Sequence, residues 1–242
     1  MPGYDRASAT LGVDRLSKIG IALAGGGPLG GIYEIGASVA LSEAIDGFEF
    51  IQADIFVGVS SGSLIAAALA NGISPARLAR ILIDNGADEI FDPEMLLRPA
   101  FGEYYERVMS LPNLAFSAAW NYLSDPWHHG LFESFQRLSR AIPTGIFDNK
   151  GIDRILQNLF AQRGRTNDFR KLKHRLFLVA TDLDSGESVS FGAPGYDDVP
   201  ISTAVQASAA LPGLFPPVVI NGRHYVDGAL IKTLHASVAL KE

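Results

Sequence analysis

The chain has 242 residues, 48% of them hydrophobic and 19% charged, with no cysteine and a formal net charge of −6. The lack of cysteine excludes disulfide scaffolds, cysteine-ligated metal sites and cysteine nucleophiles, and the apolar share excludes a disordered chain. The acidic balance argues against a nucleic-acid partner, which would need a basic patch, and the length suits one α/β domain that buries its own core.

Residues 1–18 read as an N-terminal leader and 19–242 as a single domain. Met1-Pro2-Gly3-Tyr4-Asp5-Arg6 has no basic run leading into an apolar one, so no secretory signal is expected. The uncharged run 19–33 holds six glycines and a proline and is too short and glycine-rich for a transmembrane helix. The expected location is cytoplasmic or peripheral to a membrane. Residues 19–24 predict a buried strand, followed by a glycine loop and a helix over 33–45, where Ile35, Val39, Leu41 and Ile45 recur at helical spacing. Residues 54–57 predict a second strand. An Ala- and Leu-rich helix over 63–71 closes at Gly72, and Ser74-Pro75 opens another to about residue 85. Residues 100–135 carry nine aromatics, both tryptophans among them (Trp120 and Trp127). That segment reads either as core packing or as a flap making peripheral membrane contact.

Beyond it, an amphipathic helix is expected over 151–160 and a buried strand over 176–180. A hairpin partner over 188–191 is turned by Asp184-Ser185-Gly186. Asn221-Gly222 joins 218–220 to 223–226 as a second hairpin. Strands alternating with helices predict an α/β fold of three layers, α/β/α, around a mostly parallel sheet.

Gly58-Val59-Ser60-Ser61-Gly62 is a G-x-S-x-G sequence placed after a strand and before a helix. A nucleophile elbow needs that context, because its turn is sharp and only small residues fit two before and two after the serine. The helix behind it aims free N–H groups at an anion forming on the serine side. The plain alternative is a tight turn without chemistry. Gly25-Gly26-Gly27-Pro28-Leu29-Gly30 follows the first strand. Its Gly25, Gly27 and Gly30 also fit G-x-G-x-x-G, with Asp46 and Glu49 near the distance of a ribose-binding acid. The loop therefore reads as an oxyanion hole or as a dinucleotide site of an oxidoreductase. The elbow on the next strand favours the first. None of the histidines (His128, His129, His174, His224, His235) sits in a distinctive motif, while Asp227-Gly228-Ala229 lies where a strand end can reach a cleft.

Four blocks occur in order: the 25–30 loop, 58–62, Thr181-Asp182-Leu183-Asp184-Ser185-Gly186, and the run 207–217 leading to Asp227-Gly228-Ala229. Together they resemble the patatin-like phospholipase family over roughly 19–234. The resemblance implies a lipid acyl hydrolase working through a dyad, with Ser60 attacking an ester carbonyl and Asp227 accepting its proton. It also implies oxyanion donors at Gly25, Gly26 and Gly27, supported by Gly30, Gly58, Gly62 and Gly228. A lipid or other ester is the implied substrate, without cofactor or metal. A triad using His224 or His235 is a variant of this reading, and a non-catalytic lipid- or partner-binding relative is the other class. Two departures stand out. Leu29 occupies a position where relatives carry Arg or Lys. The chain stops at Glu242, fifteen residues past Asp227, where relatives add a further strand and helix, so it is either cut short or closes early.

Overall fold

The computed structural model describes residues 18–83 and 150–242. Residues 1–17 of the expected leader over 1–18, and the aromatic segment 100–135 with His128 and His129, lie outside the described residues.

The elements in chain order are β1 (Gly20–Leu23), α1 (Gly27–Ala44), β2 (Ile55–Val59), α2 (Ser61–Ala70) and α3 (Pro75–Ile83). Then come α4 (Lys150–Phe160), β3 (Arg175–Asp182), β4 (Ser188–Phe191), α5 (Ile201–Ser208), β5 (Val218–Ile220), β6 (Arg223–Asp227) and α6 (Ala236–Ala239). The sheet order is β1-β2-β3-β6-β5, with β4 also paired to β3. The α/β/α layering is as expected, and the sheet is mixed. β1, β2 and β3 run parallel, whereas β4 and β6 are antiparallel to β3 and β5 is antiparallel to β6. The reason is local. The turns at 183–187 and 221–222 are short, and short links join only antiparallel neighbours, whereas parallel pairs need a crossover.

Side-chain alternation sorts β2 and β3 onto two faces. Ile55, Val57, Val59, Phe177 and Val179 pack with Ala229, Val238 and Ala239 on one side. Phe56, Leu176, Leu178 and Ala180 face the larger core on the other, together with Ile65, Leu69, Ile201 and Val205 from α2 and α5. α2 is buried along almost its whole length, as an apolar helix must be when covered on every side. It ends where glycine was expected to close it, with Gly72 at φ 76°. α1 begins six residues before the expected start at 33. Pro28 sits in its first turn, where its fixed φ suits the helix and its missing N–H leaves nothing unpaired. Glycines that break a periodicity pattern are here inside the helix. A Cβ on Gly31 would meet Ser61 Cβ at 3.6 Å and Ile65 Cδ1 at 3.9 Å, so α1 lies close against α2. No described helix is long and apolar enough to cross a membrane.

The β5–β6 hairpin turns on Asn221 at φ 51° and Gly222 at φ 79°, the pair of positive φ angles that a two-residue hairpin of this kind requires. Asn221→Val should therefore lose about 1–2 kcal/mol of stability, because a β-branched residue resists the left-handed region. Asn221→Gly should change it little. Urea denaturation of the two variants checks the contrast.

Candidate active site

β2 ends at Val59 and α2 starts at Ser61, which leaves Ser60 alone to make the turn. Its backbone sits at φ 54°, ψ −125°. Among the described residues only Ser60 and Asn221 are non-glycine residues with positive φ. Asn tolerates that region by local hydrogen bonding, whereas Ser60 must be held there by its surroundings. The flanking glycines show how tightly. A Cβ on Gly58 would stand 2.5 Å from the Gly62 carbonyl oxygen, and one on Gly62 would stand 2.6 Å from that of Ala24. Strand, turn and helix close on each other only because both positions lack side chains.

Asp227 is the last residue of β6. The residue is 2% exposed, and Ser60 Oγ donates to its Oδ2 over 2.7 Å. Oδ1 accepts from the Ala229 N–H at 2.8 Å. The Asp227 backbone is fixed on both sides: its N–H donates to Ala210 O at 3.0 Å and its carbonyl accepts from Thr181 Oγ1 at 3.1 Å. Behind it, a Cβ on Gly228 would lie 2.4 Å from Val179 O. The two side chains meet along one edge of β3, whose other edge is taken by β4. Val59 pairs with Val179 and Asp227 with the next residue, Ala180, so the ends of β2 and β6 face each other. Because β6 runs against β3, its C-terminal residue ends level with the elbow. Burial raises the Asp227 pKa, and the hydrogen bonds from Ser60 and Ala229 offset part of that rise.

The glycine loop lies at the carboxyl end of β1, next to the elbow, since Leu23 pairs with Gly58. The Gly25 N–H donates to Thr233 O at 2.8 Å, and the Gly26 N–H donates to Ser61 Oγ at 3.1 Å. Gly27, at φ 61°, is the first residue of α1, where a backbone N–H has no acceptor within the helix.

A family model described as patatin-like phospholipase matches residues 21–240. The chain belongs to the patatin-like phospholipase family. Among solved structures it is similar to VipD from Legionella pneumophila, with 15% identity over 89% of this chain and 46% of that chain, at a TM-score of 0.49. It is also similar to the type III effector protein ExoU, with 24% identity over 81% of this chain and 41% of that chain, at a TM-score of 0.42. Full-length ExoU of Pseudomonas aeruginosa, in complex with full-length SpcU, matches at 21% identity over 82% of this chain and 38% of that chain, at a TM-score of 0.39. This family member thus spans less than half the length of each of these proteins.

Within this patatin-like phospholipase chain the three expected loop glycines differ. Gly25 has its N–H committed to Thr233. It is a packing position as well, since a Cβ there would stand 2.9 Å from Ala229 Cβ and 3.1 Å from Ser60 Cβ. Gly26 and Gly27 remain beside the elbow. Gly30 donates its N–H to Gly26 O at 3.0 Å and so closes the loop onto α1. Leu29 is 81% exposed. Among the described strands β1 is an edge strand, whereas the strand before a dinucleotide fingerprint lies at a mid-sheet switch point. His235 is buried, its Nε2 is 3.5 Å from Gly228 O, and burial lowers its pKa. His224 lies on the outer hairpin with Nδ1 3.8 Å from Asp184 Oδ2. Among the described residues no group of three or more His, Asp or Glu side chains is placed to hold a metal ion.

Two supporting residues escaped the sequence reading. Ser61 accepts the Gly26 N–H, although it lacks the elbow pattern. Glu34 Oε1 accepts the Ala24 N–H at the end of β1. Neither contact has a sequence signal, because one depends on how α1 packs against α2 and the other on how it packs against β1.

The raised Asp227 pKa has a consequence for stability. Between the unfolded value of about 3.9 and the raised folded value, the folded state holds more protons. Stability therefore falls as pH rises through that window and stays lower above it. Asp227→Asn should be more stable than wild type at pH 7, and the advantage should shrink below about pH 4. Urea midpoints at the two pH values check this; an equal difference at both would contradict it.

Proposed function

We propose that this chain is a lipid acyl hydrolase that cleaves carboxylic esters through an acyl-serine intermediate. The observation that carries the reading is the 2.7 Å hydrogen bond from Ser60 Oγ to the buried Asp227 carboxylate, on a strained elbow beside a glycine loop. Asp227 is the acceptor in that bond, so it is the group placed to take the serine proton. Its burial strengthens it as a base, because a carboxylate at the ordinary pKa of about 3.9 would hold the proton weakly.

The reaction follows in two halves. Ser60 Oγ attacks the ester carbonyl carbon as its proton moves to Asp227 Oδ2. The carbonyl oxygen takes up the negative charge at Gly26 and Gly27, where it replaces Ser61 Oγ as the acceptor of the Gly26 N–H. The N-terminus of α2 adds its dipole. Collapse breaks the ester C–O bond, and the leaving alkoxide takes the proton back from Asp227. Water then attacks the acyl-serine and gives its proton to Asp227. Collapse releases the acid and returns the proton to Ser60.

A lipid rather than a small polar ester is supported by the family and by the rim. Leu29, Ile32 and Tyr33 on α1 are 81%, 58% and 76% exposed. Leu211 and Leu214, which follow the Ala210 carbonyl that holds Asp227, and Leu230, Ile231 and Leu234, beyond Asp227, are exposed as well. These segments all adjoin the site, so an acyl chain leaving the ester meets apolar side chains.

Ser60→Ala and Asp227→Asn should each lower hydrolysis of p-nitrophenyl butyrate by about 10³-fold or more. Mass spectrometry after fluorophosphonate treatment should place the adduct on Ser60. Equal turnover in all three proteins would sink the proposal. His224→Ala and His235→Ala should stay within about threefold when folded, whereas loss of activity in either would favour a histidine triad. The kcat/KM profile should rise with pH as Asp227 loses its proton, on a limb above the ordinary carboxylate range. A limb that vanishes only in a histidine variant would reassign the base.

A further inference from the structure

The strained conformation of Ser60 needs something to hold it, and its two backbone groups are held differently. The carbonyl is an ordinary helix-cap acceptor, taking the Ser63 N–H at 2.9 Å and the Ser63 hydroxyl at 2.5 Å. The N–H points instead out of β2, to Ser208 Oγ at 3.0 Å. Ser208 is the last residue of α5, 148 positions away in sequence. Its hydroxyl in turn meets Val179 O at 2.6 Å.

The direction of both bonds is forced by chemistry. Val179 offers a carbonyl, which only accepts, so the single Ser208 hydroxyl proton goes there. The Ser60 N–H only donates, so it takes a lone pair on the same oxygen. Ser208 has 0% exposure, so water does not compete for either bond. The same turn reaches the other half of the site, because Ala210 O, two residues on, accepts the Asp227 N–H at 3.0 Å.

We propose that Ser208 is a positioning residue: its hydroxyl fixes the Ser60 amide in the positive-φ elbow and thereby aims Ser60 Oγ at Asp227 and at the ester carbon. The inference rests on the hydrolase reading and deepens it. Ser208 touches neither substrate nor the proton in transit; it acts through Ser60. Removing its hydroxyl frees the amide, lets the elbow relax towards an ordinary backbone conformation and swings Oγ away, with substrate contacts on the rim unaltered.

The test uses Ser208→Ala and Ser208→Cys in the full chain. With p-nitrophenyl butyrate, Ser208→Ala should lower kcat about 10- to 100-fold, the scale of a misplacement of about 1 Å. KM should stay within about threefold, and fluorophosphonate labelling of Ser60 should slow in parallel. Ser208→Cys keeps a small side chain that still donates and accepts, so it should fall between wild type and Ser208→Ala. A folded Ser208→Ala protein with wild-type kcat would overturn the proposal. If Ser208→Ala fails to fold, the Cys variant decides: lowered kcat at constant KM supports it, and unchanged kcat overturns it. A crystal structure of either folded variant gives an answer that does not need turnover. Ser60 should leave the positive-φ region, or its Oγ should move beyond hydrogen-bond distance of Asp227. An unchanged elbow would overturn the positioning role. Absence of turnover in wild type itself would count against the hydrolase reading alone.

Discussion

The hydrogen bond between Ser60 and Asp227 is made where the ends of two strands meet head-on beside a third, and that geometry constrains everything around it. The two residues are 167 positions apart and close strands that follow one another along one edge of β3, so each must reach the same point from an opposite direction. On the β2 side this requires a chain that turns from strand to helix at one residue. On the β6 side it requires a strand running against β3, so that its last residue stops level with the elbow. A fully parallel sheet would carry the C-terminus of β6 to the outer end of β3. The antiparallel half is therefore a condition of the site.

Close approach is the second constraint. Gly58, Gly62 and Gly228 each sit where a Cβ would come within 2.6 Å of a backbone oxygen of a neighbouring element. Packing interiors are dense and yield little to added volume. These glycines place Ser60 and Asp227 within reach of one another by letting backbones touch. The same compaction dries the aspartate, and drying makes a carboxylate a usable base without a histidine beside it. Packing and the raised pKa of Asp227 here have one cause.

Much of this was legible in the sequence where it was written locally. The apolar runs of β1, β2 and β3 marked buried strands, Asn221-Gly222 marked a hairpin, and the spacing of Gly58, Ser60 and Gly62 marked the elbow. The start of α1 was not legible, because Pro28 and three glycines break the periodicity of a helix that approaches α2 through two of them, Gly30 and Gly31. The mixed sheet was not legible either, since pairing across β3 is decided by partners far apart in sequence. The glycine loop shows the same limit more finely. Gly25, Gly26 and Gly27 look equivalent as letters, yet Gly25 gives its N–H to Thr233 and Gly26 gives its own to Ser61 Oγ. Hydrogen-bond destinations follow from the fold, and local sequence does not rank them.

The Val179 carbonyl sits at the centre of the arrangement. On one side it receives the Ser208 hydroxyl that holds the Ser60 amide, and on the other the Gly228 backbone rests against it. Both halves of the site are thus referenced to one oxygen on an inner strand. When β3 shifts within the sheet, the serine and the aspartate shift with it. Such motion is common to both and largely cancels in the distance between them. The spacing between them is therefore insulated from the breathing of the sheet, and thermal disorder reaches it mainly through the short links to that single atom.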